Sequence, residues 1–168
     1  MSAHKPSFVV DAMLGNLARK LRILGYDSKY ESSIEDSDLI KFAENQRRVI
    51  VTKDENLSKS AEKTGGITTV LIRGNDEVEQ IIQIAKKIGL SNFTIDTNSS
   101  RCVNCNGKIE AIDKIRIMEK VPTRIYERQE KFWSCKGCKK IYWEGTHLVK
   151  IQEFVEKLNQ RLNQTLDS

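Results

Sequence analysis

The chain has 168 residues, 39% hydrophobic and 30% charged, with a formal charge of +5. That apolar content can bury a core, and no apolar run approaches the roughly 18 residues of a membrane span, so a soluble globular protein is expected. The opening MSAHKPSFVVD lacks the basic-then-apolar build of a secretory signal, which makes the cytoplasm the default compartment.

In chain order, SFVVD reads as a first strand ending in Asp11. Leu14, Leu17, Ala18, Leu21 and Leu24 then share one helical face, and Gly25 stands at a helix end. Residues 26–30 form a weak second strand, followed by a helix carrying Leu39, Ile40 and Phe42 that Ser33, Asp36 or Ser37 would cap. VIVT (49–52) is a buried strand. A short helix near 56–63, a strand at 68–72 and an amphipathic helix over 76–88 complete four strands and four helices. That alternation predicts an α/β fold, a three-layer α/β/α sandwich around a parallel sheet over residues 1–97. The polar stretch SNFTIDTNSS (91–100) reads as a linker.

Residues 98–168 are built differently. Short β-like runs at 109–112, 115–119, 124–127, 131–134 and 140–143 precede a helix with Leu148, Ile151, Val155, Leu158 and Leu162 on one face. A small β unit closed by this terminal helix is expected. Charge divides at the same place: residues 1–97 hold 14 basic and 14 acidic side chains, residues 98–168 hold 14 and 9. An excess confined to one end suits a polyanion partner or a solubilising surface.

All four cysteines fall in two C-x-x-C pairs, Cys102/Cys105 and Cys135/Cys138. Two such knuckles complete a thiolate tetrahedron around Zn²⁺, and with four sulfurs no position stays open for water, so a structural zinc ribbon is expected. His147 is not needed as a ligand. Phe132, Trp133, Tyr142 and Trp143 lie among basic residues and serve either as the ribbon's core or as stacking faces for bases.

The acids suggest chemistry. Asp11 and Asp54 follow the first and third strands and emerge at the carboxyl edge of a parallel sheet, where open α/β folds place their sites, while Asp36 and Asp38 begin the intervening helix at that edge. Crowded carboxylates favour Mg²⁺ or Mn²⁺, which activates water against a phosphodiester; each acid alone also reads as a turn or helix cap. Arg19 and Arg22, off the leucine face, suit phosphate contacts or a solvated edge. Thr52 could orient a ligand, and Asp76 and Glu77 read as helix N-terminal acids.

The segments FVVDAMLGNLARKLRILGYD, DSDLIKFAENQRRVIVTKDENL, SRCVNCNG and FWSCKGCKKIYWEGTH, in this order, resemble the Mut-seven C-terminal RNase family, a branch of PIN-like nucleases with an appended zinc ribbon. The likeness covers roughly residues 7 to 150. It implies a metal-dependent ribonuclease in which Asp11, Asp36 (seven positions before Ala43) and Asp54 are the acids and Arg19 and Arg22 the arginines of the LARxLRxLG segment. A fourth acid has no clear match. Lys20 and TKD depart from frequent family residues without touching a presumed ligand.

The expectation is an endoribonuclease. Asp11, Asp36, Asp38 and Asp54 would be catalytic, the first, second and fourth of these holding Mg²⁺ or Mn²⁺. Arg19, Arg22, Lys53, Arg101, Lys136, Lys139 and Lys140 would bind RNA, single-stranded or structured, with the ribosome and tRNA as candidates. The alternative is a non-catalytic RNA-binding or ribosome-associated zinc-ribbon adaptor.

Overall fold

The computed structural model describes residues 4–168, so only the first three residues of the expected 1–97 unit lie outside it. Strands β1 (Phe8–Val10), β2 (Ser28–Tyr30), β3 (Val49–Thr52) and β4 (Thr69–Leu71) form one sheet in the order β2-β1-β3-β4, every pair parallel. Helices α1 (Gly15–Ile23), α2 (Asp36–Gln46), α3 (Glu55–Thr64) and α4 (Glu77–Ile88) alternate with them.

Strand pleating sorts the residues of β1 between two cores. Phe8 and Val10 face one core with Leu17 and Leu21 of α1 and Ile81 and Ile84 of α4. Val9 faces the other, with Ile50, Leu39 and Ala43 of α2 and Leu57 and Ala61 of α3. This is the expected three-layer sandwich. The connections from β1 run to β2 on one side, and those from β3 run to β4 on the other. The sheet therefore changes direction between β1 and β3, the two strands that carry Asp11 and Asp54 at their carboxyl ends.

The ribbon is an antiparallel sheet of β5 (Ile109–Ile112), β6 (Phe132–Cys135) and β7 (Ile141–Trp143). Two runs expected to be β-like are helical instead: a 3-10 turn over Lys114–Ile117 and α5 (Thr123–Arg128). Ile117 and Val121 are buried with Phe132, Ile125 packs against them partly buried, and Asp113 caps the turn through the Ile115 amide at 3.1 Å.

The terminal helix α6 (Thr146–Leu166) does not close the ribbon core. Val155, Leu158 and Leu162 pack into the core beside α4, Arg161 pairs with Glu79 at 2.7 Å, and the Lys20 ammonium of α1 lies 4.5 Å from the Phe154 ring centroid. That stripe is about two turns long, and α4 presents the apolar face it packs on. The stretch read as a linker is irregular but pinned. Phe93 is buried against Tyr26, and its backbone amide and carbonyl are both bonded by the Asn159 side chain at 2.9 and 2.8 Å.

Candidate functional site

Asp11 leaves β1 with its carboxylate already positioned. Oδ1 accepts the Ala12 amide at 2.7 Å, starting the 3-10 turn Ala12–Leu14, and Oδ2 accepts the Thr52 hydroxyl at 2.8 Å. Thr52 is fully buried at the end of β3, and its Oγ1 also accepts the Asp54 amide at 2.9 Å. One hydroxyl thus ties the two strand-end acids together. Asp54 caps α3 through Oδ1, which accepts from Asn56 and Leu57 amides at 2.7 and 3.2 Å.

Capping and site chemistry coexist in these two residues. In Asp54 the cap uses Oδ1 alone, and Oδ2 has no protein donor among the described residues. Asp36 opens α2 as its first residue, while Glu35, not one of the expected residues, holds the cap position without a side-chain bond. Reduced hydration, then the charges of Asp54, Asp11 and Glu35, raise the Asp36 carboxyl above its ordinary value. Asp36 therefore feels acids 18 and 25 positions away in sequence. Asp38 is exposed one position beyond Ser37 on α2.

A divalent cation suits this donor set, because oxygen ligands and mutually repelling carboxylates are what Mg²⁺ or Mn²⁺ neutralises. The carboxylates are not drawn into a closed cage. Among the described residues, the group of three or more metal-ligating side chains with ligand atoms within 4.8 Å of one another is the cysteine tetrad.

Beside the acids, a groove of about 770 Å³ runs along α1 from Ala12 and Asn16 past Arg19 to Val103 and Asn104 of the ribbon. Lys53 lines it, its ammonium held by Asn75 Oδ1 at 2.7 Å, as does Tyr30, whose hydroxyl donates to the Ala12 carbonyl at 2.9 Å. Gly15 makes that contact possible, since a Cβ there would sit 3.0 Å from the Tyr30 oxygen. With nine residues, α1 spans about 14 Å between the acidic edge and the ribbon.

Two residues expected to contact RNA turn inward. Arg22 is buried and donates from Nε to the Ser28 carbonyl at 2.9 Å and from Nη1 to the Val103 carbonyl at 2.8 Å. It rivets α1 to the first cysteine knuckle. Arg101 donates to the Asn106 carbonyl at 2.7 Å and pairs with Asp27 at 3.6 Å. Helical spacing placed Arg22 off the leucine face, but the ribbon covers that flank. Arg19 stays exposed on the groove.

Asp27 is the centre of this junction and was not among the expected functional residues. It accepts both Nη atoms of Arg48, at 2.7 and 3.1 Å, and Asn106 Nδ2 at 2.7 Å, while Asn106 Oδ1 accepts the Ser28 amide at 3.0 Å. Burial opposes ionisation, yet these hydrogen bonds and the charges of Arg48 and Arg101 win and hold the Asp27 carboxyl below its usual value. The only sequence sign was an acid just before β2 and a base just before β3, at one edge of the sheet.

The cysteines meet as the spacing predicted. Sγ atoms of Cys102 and Cys138 lie 3.5 Å apart and those of Cys105 and Cys135 3.3 Å apart, close to the edge of about 3.8 Å for a tetrahedron with Zn–S bonds of about 2.3 Å. The backbone is cut to fit the sulfurs: a Cβ on Gly107 would stand 2.9 Å from Cys135 Sγ. The surroundings of the four crowded thiols push their pKa values apart. Burial pushes Cys135 up to about 12, whereas in Cys105 the effect of burial is outweighed by the Cys135 thiol and the Gly107 amide and the group falls to about 6. The donor set thus fits Zn²⁺. Tyr142 adds an outer contact, its hydroxyl 3.0 Å from Cys102 Sγ.

Phe132 and Trp133 are buried in the ribbon, whereas Trp143 keeps 37% of its surface exposed. Lys136 pairs with Glu110 at 2.6 Å, Lys139 donates to the Lys136 carbonyl at 3.0 Å, and the Lys140 ammonium reaches Asn104 Oδ1 at 3.5 Å, on the rim of the α1 groove. His147 is exposed and outside the cysteine tetrad. Among the described residues, no helix is long and apolar enough to cross a membrane.

The family described as the Mut7-C RNAse domain matches residues 6–155, and the chain belongs to it. Its span includes the sheet, the acids, the groove and all four cysteines, and points to a ribonuclease-type function with RNA as substrate. No curated protein matches the chain.

Proposed function

We propose that this member of the Mut7-C RNAse domain family is a metal-dependent endoribonuclease whose active site is the carboxyl edge of the parallel sheet. The observation that carries the reading is the hydrogen-bond chain from Asp11 Oδ2 through the buried Thr52 hydroxyl to the Asp54 amide, which sets the two strand-end acids side by side. Asp11, Asp36 and Asp54 would hold Mg²⁺ or Mn²⁺, with Asp38 beside them on α2. When bound, such an ion supplies an activated water and offsets charge at phosphorus.

The chain's own residues orient and bind. Thr52 fixes Asp11 Oδ2 and the Asp54 amide in one hydrogen-bond chain, so both acids present their free lone pairs from rigid strand ends. Arg19 and Lys53 meet backbone phosphates along α1, Lys53 with its ammonium already set by Asn75. Lys136, Lys139 and Lys140 extend positive charge onto the ribbon, whose zinc is structural because every ligand is a thiolate.

The test is cleavage of labelled single-stranded and structured RNAs by zinc-loaded wild type and Asp11→Asn, with Mn²⁺, with Mg²⁺ and with neither. Cleavage that needs both the ion and Asp11 is the expected result. Undiminished cleavage by Asp11→Asn, or cleavage without divalent ions, would overturn it. The adaptor reading, in which the ribbon binds RNA and the acids are vestigial, draws on the tight gathering of the thiols alone. It requires RNA affinity indifferent to Mg²⁺ and to Asp11, with no cutting.

A further inference from the structure

A second depression lies on the far side of the first cysteine knuckle. It measures about 490 Å³ and is enclosed by the end of α1, residues 95–101, strands β6 and β7 and the start of α6. Ile23, Ile109 and Trp133 line it on the apolar side, with Trp143 and His147 beside them. We propose that this cleft takes an unpaired nucleobase of the RNA, stacked on Trp143, and that it continues the groove along α1. The inference rests on the ribonuclease reading for the identity of the nucleic acid.

Three observations point to a base attached to phosphate. The first is exposure: the ribbon buries Phe132 and Trp133, and the Trp143 indole remains 37% exposed although burying it would stabilise so small a unit. The second is charge. Lys140 lines the cleft, as does Arg101 with its guanidinium paired to Asp27, and its one acid among the described residues, Glu144, is paired with Lys131 at 3.9 Å. Residues 101–140 carry 11 basic and 5 acidic side chains, so the approach is positive.

The third is continuity. Val103 lines both depressions, and the Lys140 ammonium stands between them, 3.5 Å from Asn104 Oδ1 of the groove and 5.5 Å from the Tyr142 ring centroid of the cleft. A strand drawn along α1 by Arg19 would pass Lys140 and set its next unstacked base against Trp143. Paired bases cannot enter, because both their faces are already covered in a helix, so the cleft selects single-stranded RNA.

Both tryptophans of the sequence line this cleft, so intrinsic fluorescence reports on it directly. Zinc-loaded full-length protein would be titrated with decauridylate and with an RNA duplex of equal length, free of chelator and of other divalent ions. Quenching by the single strand and little by the duplex is expected. Trp143→Ala, checked for zinc content and circular dichroism, should bind labelled decauridylate about tenfold more weakly by anisotropy, and Trp143→Phe should recover most of that loss. Unchanged affinity in Trp143→Ala, no binding of decauridylate, or quenching by an apolar peptide but not by RNA would each overturn the proposal.

The two readings separate cleanly. If RNA binds through Trp143 and wild type never cuts it with Mn²⁺, the nuclease assignment fails and the cleft stands. If wild type cuts and Trp143→Ala cuts with an unchanged KM, the cleft fails and the nuclease assignment stands.

Discussion

The sheet unit and the ribbon are held by different physics. The sheet unit buries a continuous core in which Phe8, Leu17, Leu21, Ile81, Leu158 and Leu162 are each almost wholly out of water. The ribbon has two small clusters, one built around Cys102 and Cys135 themselves. A large core can hold exposed, mutually repelling acids at its rim, because burial elsewhere offsets the repulsion. A small one depends on a metal for its shape.

Removing zinc tests this contrast most severely. Stripping the metal, or Cys135→Ser, should abolish amide protection in β5–β7 while the sheet unit and α6 keep theirs, because a structural Zn²⁺ contributes on the order of 10 kcal/mol to such sites. Hydrogen exchange read by mass spectrometry checks it. Loss of protection in β1 and β3 as well would mean that the two regions fold as one.

Next in size is Leu158→Ala. If α6 belongs to the sheet unit, this change costs about 3 kcal/mol in urea unfolding of that unit and leaves zinc affinity unaltered. A drop in zinc affinity would return the helix to the ribbon. Asp54 sharpens the comparison within the sheet unit. Asp54→Asn keeps an amide-accepting cap and should lower cleavage by about a hundredfold at near-wild-type stability, whereas Asp54→Ala should lose the activity and also about 1 kcal/mol of stability. Kinetics and thermal melts on the two variants decide whether cap and catalysis separate.

The smallest effect lies at the junction. The folded-state carboxyl of Asp27 sits below its unfolded value of about 3.9, so its contribution is complete above that pH and is lost as pH falls through the lower folded value. Wild type should therefore melt above Asp27→Asn at pH 7, and the gap should close below about pH 4. A gap independent of pH would show that the Arg48 pair contributes through packing and not through charge.

Much of the fold could be read from local pattern. VIVT is apolar and β-branched and becomes β3; the leucines after Asp11 repeat every three to four residues and become α1. Two pairs of cysteines, each with two residues between them, pointed to one shared ion, and the four sulfurs do gather. Asp11 and Asp54 were legible because a residue following a parallel strand has one place to emerge.

By itself, then, the sequence determined the periods, the strand ends that carry the acids and the knuckles that gather the thiols, all set by neighbours a few positions away. Tertiary structure alone decided that α6 packs on α4, that residues 114–117 and 123–128 coil into helical turns beside Phe132, and that Arg22 and Arg101 are bonded into the junction. Each outcome depends on which distant surface covers a given flank, and spacing along one chain does not encode which surface arrives there.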